Sequence, residues 1–201
     1  MRAREGLRRI WVVADREFVE RFWAALDWTD RVLEEFSGWF KGKTSPVHLF
    51  WHGLDLAVTR FSGRDAPPVE ADPVTQEAYS SEVISFGFWA GDDNLGDAAF
   101  YSYTAPEPDG LREQSLVGGE WTDTGNGSLA VLRYEAVRTA SDPRATLLAF
   151  VQSAYEAGAR TAGWDILSFE STWCPTPGQL EELRTTAAAT FGRPAARSTV
   201  D

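Results

Sequence analysis

The chain has a single cysteine, Cys174, so no internal disulfide can form. Cys174 lies between Trp173 and Pro175 with no His, Asp or Glu close in sequence, which argues against a catalytic thiol. Histidine is scarce too: only His48 and His52 could act as an imidazole base or ligand. No apolar run is long enough to span a membrane, and the basic start lacks the apolar segment of a secretory signal. These absences point to a cytoplasmic protein. Positive charge is also short. Nineteen Lys and Arg face thirty Asp and Glu, a net charge of −11. Nucleic acids and anionic membranes are held by basic patches, so neither is an expected partner.

The acidity is local. Residues 65–135 carry fourteen acidic side chains against Arg112 and Arg133, whereas the start carries Arg2, Arg4, Arg8 and Arg9 against Glu5. Either a solvated acidic face or a surface for a cationic ligand or partner fits this pattern. The 201 residues are 43% hydrophobic and 13% aromatic, enough for a packed core. We expect one domain over residues 1–170 and a C-terminal tail over 171–201 that can hold a short helix. Nine tryptophans fit a well-filled core first, and a stacking groove for a sugar or base second.

Periodicity sets the expected elements. Ile10–Val13 reads as a strand stub. Asp15 reads as an N-cap, opening a helix to about Ser37 on Phe18, Phe22, Leu26, Leu33 and Phe36, with Gly38 as its stop. Val47–Phe61 reads as one long strand bent at Gly53. Residues 64–78 read as a Pro-rich loop. Further strands are expected at Glu82–Trp89, Ala99–Thr104, Glu120–Thr122 and Ser128–Arg138, with Asn126-Gly127 as a tight hairpin turn. Asp142-Pro143 opens a second long helix to about Gly163, and Thr176-Pro-Gly-Gln179 caps a weaker one to Ala189. No strand-helix-strand alternation occurs between 47 and 138. The fold class is therefore α+β: an antiparallel β-sheet with two long helices packed on one face.

Familiar reaction motifs are missing. Gly42-Lys-Thr-Ser45 suggests a phosphate loop, but Gly38 stands one position too close, and the segment leaves a helix and enters a strand, the reverse of what a phosphate loop needs. No Gly-x-Ser-x-Gly elbow and no dinucleotide fingerprint occur. Asp92–Asp97 begins like a calcium loop, then lacks the Glu at its twelfth position.

What stands out instead is polar side chains on apolar strands: His48, His52, Asp55, Arg60, Ser80, Glu82, Tyr101 and Tyr103. On an unbroken strand His48, His52 and Arg60 share a face and Asp55 takes the other, unless a bend at Gly53 brings it round. His48 and His52 would lie roughly 13 Å apart, too far to share a metal, so a metal site would need one histidine with Asp55 and Glu82. The plainer alternative is a buried histidine hydrogen-bonded to backbone, with an Asp–Arg or Glu–Arg pair that orders the sheet.

Five blocks carry a resemblance. Ser45-Pro-Val-His-Leu-Phe-Trp51, Asp55-Leu-Ala-Val-Thr-Arg-Phe-Ser-Gly-Arg64, Ala78-Tyr-Ser80, Gly87-Phe-Trp89 and Trp164-Asp165 together resemble a large bacterial family known only as a domain of unknown function. The resemblance spans about residues 15–170. Family members tend to carry Ser-His-Glu where this chain has Ser80-Ser81-Glu82, and Pro where it has Ala90. They are usually longer, with another sheet-and-helix half upstream, so this chain corresponds to their C-terminal part. The resemblance implies no reaction and no cofactor.

The expectation is a small-molecule or partner-binding domain whose ligand contacts His48, His52, Asp55, Arg60, Glu82 and Tyr101. The competing expectation is a metal-assisted hydrolase built on a histidine with Asp55 and Glu82. A homodimer follows if an upstream half is missing and its covering surface must be replaced.

Overall fold

The computed structural model describes residues 15–51, 53–68, 73–91 and 96–191. In chain order the elements are α1 (Arg16–Gly38), β1 (His48–Phe50), β2 (Asp55–Asp65), α2 (Pro73–Ala78), β3 (Ser81–Trp89), β4 (Ala99–Ala105), β5 (Glu120–Asp123), β6 (Ser128–Arg133), α3 (Tyr134–Arg138), α4 (Pro143–Thr161), α5 (Ile166–Phe169) and α6 (Pro177–Phe191). The strands form one sheet in the order β1-β2-β3-β4-β6-β5, and every pair is antiparallel. The expected α+β class is the observed one.

Helix starts are set by local chemistry. The Asp15 carboxylate accepts from the Glu17 N–H, and Asp142 accepts from the Ala145 N–H with Pro143 beside it at the first turn. Thr176 and Gln179 exchange hydrogen bonds as a capping box at the start of α6.

Strand alternation then sorts the core. Leu56 and Val58 on β2, Ile84, Phe86 and Phe88 on β3, Phe100 on β4, and Ala130 and Leu132 on β6 face inward and are buried. Helix α1 lies on this inner face, with Phe36 against Phe86 at 4.9 Å and Trp28 against Phe100 at 6.4 Å between ring centroids. Helix α4 presses on the same face so closely that a Cβ at Gly158 would sit 2.2 Å from Thr104 Oγ1. Its residues from Ala145 to Ala159 are all buried, because α6 covers its far side through Ala187 and the Arg184–Glu156 ion pair.

Three expected elements differ. Val47–Phe61 is not one bent strand but a hairpin: β1 pairs back on β2 with His48 opposite Ala57. Leu54 makes that turn at φ 52°, a backbone region a leucine rarely enters, so composition gave no sign of it. Ser128–Arg138 leaves the sheet after Arg133 and becomes α3. The Pro-rich loop is shorter than expected, since β2 runs to Asp65 and α2 forms at 73–78. The Ile10–Val13 stub, His52 and residues 92–95 of the calcium-like loop lie outside the described residues. The segment after α1 does lead into the sheet: Ser45 N–H donates to Thr59 O, and Lys43 sits 4.5 Å over the Phe61 ring.

Candidate functional site

The outer face of the sheet carries the residues that alternate with the core: Asp55 and Thr59 on β2, Ser85 and Gly87 on β3, Tyr101 and Tyr103 on β4. Tyr101 lies across Gly87, which must lack a side chain there, since a Cβ would come 2.6 Å from the phenol oxygen. The Tyr101 hydroxyl donates to Asp55 Oδ2 at 2.6 Å. Tyr103 stacks beside it at 6.5 Å and 7° between ring planes. Tyr103 stands opposite Ser85 across the strands and close to Tyr79, which follows α2, and Ser85 Oγ lies 3.0 Å from Thr59 Oγ1. A row of hydroxyl side chains therefore crosses three strands. Burial, then the Asp55 hydrogen bond, holds Tyr101 far above the usual phenol range. Burial, then Tyr79, pushes Tyr103 up to about 12. Both phenols stay protonated at neutral pH, so they serve as hydrogen-bonding groups and π faces rather than as bases.

The row ends in a hollow of about 550 Å³ at the end of the sheet. Tyr79, Tyr103, Pro67, Pro106 and Leu129 give it apolar walls, and Glu107 supplies a carboxylate. This mixture of flat apolar surface and few polar groups suits a small ligand.

The six residues expected at a site divide between the two faces. His48, Asp55 and Tyr101 share the outer face, because the hairpin reverses the chain and sets His48 beside Ala57. The His48 Nδ1 lies 2.9 Å from Pro46 O; a carbonyl only accepts, so this nitrogen carries the proton. Arg60 and Glu82 face inward, contrary to the expectation that Arg60 sits with His48. Arg60 is 1% exposed, with its guanidinium 3.6 Å over the Phe36 ring and 4.5 Å over the Tyr155 ring. It donates to the Phe36 carbonyl at the end of α1, and burial lowers it to about 9. Glu82 accepts from Ser62, Arg64 and Trp164, while Arg64 also reaches Ala162 O at the end of α4. Arg60 ties the sheet to α1 through the Phe36 carbonyl, and the Glu82–Arg64 pair ties it to the end of α4. Among the described residues no three His, Cys, Asp or Glu gather as a metal could use. Burial pushes the Cys174 thiol up, away from reactivity.

Sequence reasoning missed Tyr79 and Glu107, which reach the hollow from segments far apart in the chain. The one signal for Tyr79 was its place in the Ala78-Tyr-Ser80 block.

An antiparallel sheet with helices on its inner face and a tyrosine-rich outer face defines an α+β domain. The chain belongs to the family of unknown function DUF5996, whose model matches residues 12–171. No curated protein and no solved structure matches it significantly. Among the described residues no helix is long and apolar enough to cross a membrane.

Proposed function

We propose that this chain is a small-molecule-binding α+β domain of a bacterial cytoplasmic protein, and that its ligand occupies the hollow beside Tyr79 and Tyr103. The observation that carries this reading is the union of that hollow with the hydroxyl row: a concave apolar space of ligand size ends on groups that can orient a polar atom. The Tyr101–Asp55 pair lies beside the row, Tyr101 stacking on Tyr103, and His48 lies on the same face. The hydrolase alternative is not favoured, because Asp55 and Glu82 lie on opposite faces of the sheet.

A fragment screen by ligand-observed NMR tests the reading. Hits should compete with one another and be lost or strongly weakened in Tyr79→Ala and Tyr103→Ala. A screen without hits, or hits indifferent to both substitutions, would sink it. Self-association is a second reading, supported by Phe18, Val19 and Trp23, which stand exposed on α1. Sedimentation equilibrium decides it: a monomer across the accessible concentration range ends that reading.

A further inference from the structure

We infer that the hollow selects an organic cation: an amine or related group carried on a flat or apolar body. This rests on the binding reading above and specifies its ligand class.

Charge around the hollow points one way. Its lining contains a carboxylate, Glu107, and, among the described residues, no Lys, Arg or His. Glu107 is fixed in place: Oε2 accepts from the Ser128 N–H and Oε1 from the Ser128 hydroxyl, each at 2.5 Å. The cation nearest to it is Arg112, 3.6 Å from Oε1. Arg112 is shared, however. Its Nη1 donates to Asp123 at 3.0 Å and its Nε to Ser128 Oγ. One guanidinium therefore stands between two carboxylates, and the group keeps a net negative charge. Arg133, the remaining basic residue of segment 65–135, is engaged with Asp97. A carboxylate has about four acceptor positions on its two oxygens. Ser128 and Arg112 take three at most, so Glu107 can accept one more donor from the hollow.

The aromatic walls agree with the charge. Tyr79 and Tyr103 line the hollow, and a cation gains from aromatic rings when it is partly desolvated. An anionic ligand would meet Glu107 and no compensating base. A neutral one would forgo the only charged group that the described residues place in the lining.

The test uses the full chain and three matched probes: phenethylamine, phenethyl alcohol and phenylacetate. Calorimetric titration should show the amine binding at least about tenfold tighter than the alcohol, with the acid weakest, and the preference should shrink as salt rises. Glu107→Gln should abolish the amine-over-alcohol preference while leaving alcohol binding in place. Asp123→Asn, which does not line the hollow but leaves Arg112 to Glu107 alone, should weaken the preference while leaving alcohol binding unchanged. The wild-type ranking alone decides the matter if Glu107→Gln fails to fold. Alcohol or acid binding as well as the amine overturns the cation inference and leaves the hollow as a binding site. The same holds if the amine fails while neutral fragments bind. Absence of binding by all probes and all fragments overturns both.

Discussion

Replacing Arg60 with methionine separates two terms that oppose each other at the centre of the fold. The guanidinium is fully buried, its Nε has no partner, and among the described residues no carboxylate faces it. Burial lowers it from its usual value above 12 to about 9. At roughly 1.4 kcal/mol per pH unit, keeping the charge opposes folding by on the order of 5 kcal/mol at neutral pH. The compensation is a cation held 3.6 Å from Phe36, 4.5 Å from Tyr155 and 5.0 Å from Phe40, plus a bond to the Phe36 carbonyl. Desolvated ring contacts contribute about 2 kcal/mol for the nearest and less for the others, and a charged hydrogen bond about 1.5–3 kcal/mol. The two sides nearly cancel. Methionine keeps the apolar stem and drops both terms, and the Phe36 carbonyl retains the Trp39 N–H. We expect Arg60→Met to lie between unchanged and about 2 kcal/mol more stable. Arg60→Ala, which opens a cavity, should lose about 3 kcal/mol or more. Urea unfolding followed by tryptophan fluorescence measures all of this. A loss of 3 kcal/mol or more in Arg60→Met at unchanged m-value would refute the reasoning. The pH dependence gives a second handle. The folded state binds fewer protons at Arg60 than the unfolded chain above pH 9, so this residue's penalty shrinks as pH rises, and Arg60→Met should lack that component.

Tyr103 acts in the opposite sense: its contribution is complete below pH 10 and lost as pH climbs towards 12, so Tyr103→Phe should flatten the alkaline limb of the stability curve by about 2–3 kcal/mol. Absorbance at 295 nm should show wild-type phenolate appearing only with unfolding for this residue; early, reversible ionisation would contradict its burial. Gly158→Ala should cost about 2–4 kcal/mol in urea unfolding, because the new methyl meets Thr104 Oγ1 and Ile84 Cδ1 on a packed sheet; an unchanged midpoint would mean that α4 is free to lift. Asp142→Ala removes the acceptor for Ala145 N–H and should cost about 1 kcal/mol, read from the thermal midpoint, while Asp142→Asn should recover most of it.

The parts of the fold visible in the chain were those decided within a few residues. Asp15, Asp142-Pro143 and the Thr176–Gln179 box announce helices because the cap and the groups it satisfies are neighbours. Asn126-Gly127 announces its hairpin for the same reason. The β1–β2 turn was hidden because Leu54 is held in a left-handed conformation by its surroundings, not by its own preference. That one error exchanged the faces of His48, Asp55 and Arg60. Tyr134–Arg138 looked like more strand because Leu129, Val131 and Arg133 set up an alternation that Tyr134 and Val137 then continue at helical spacing. The hollow was out of reach for another reason. Tyr79, Tyr103, Glu107 and Ser128 meet only through sheet registry, and no local pattern links them.

Helix α4 has no side turned to water along most of its length, and Glu156 reaches Arg184 across the seam with α6. A fragment trimmed at Ser171, where the family match ends, would strip that cover and leave the apolar side of α4 bare, with Glu156 held by Arg160 alone among the cations. Such a fragment should precipitate or recruit a replacement helix, so expression work on relatives should keep the last helix attached.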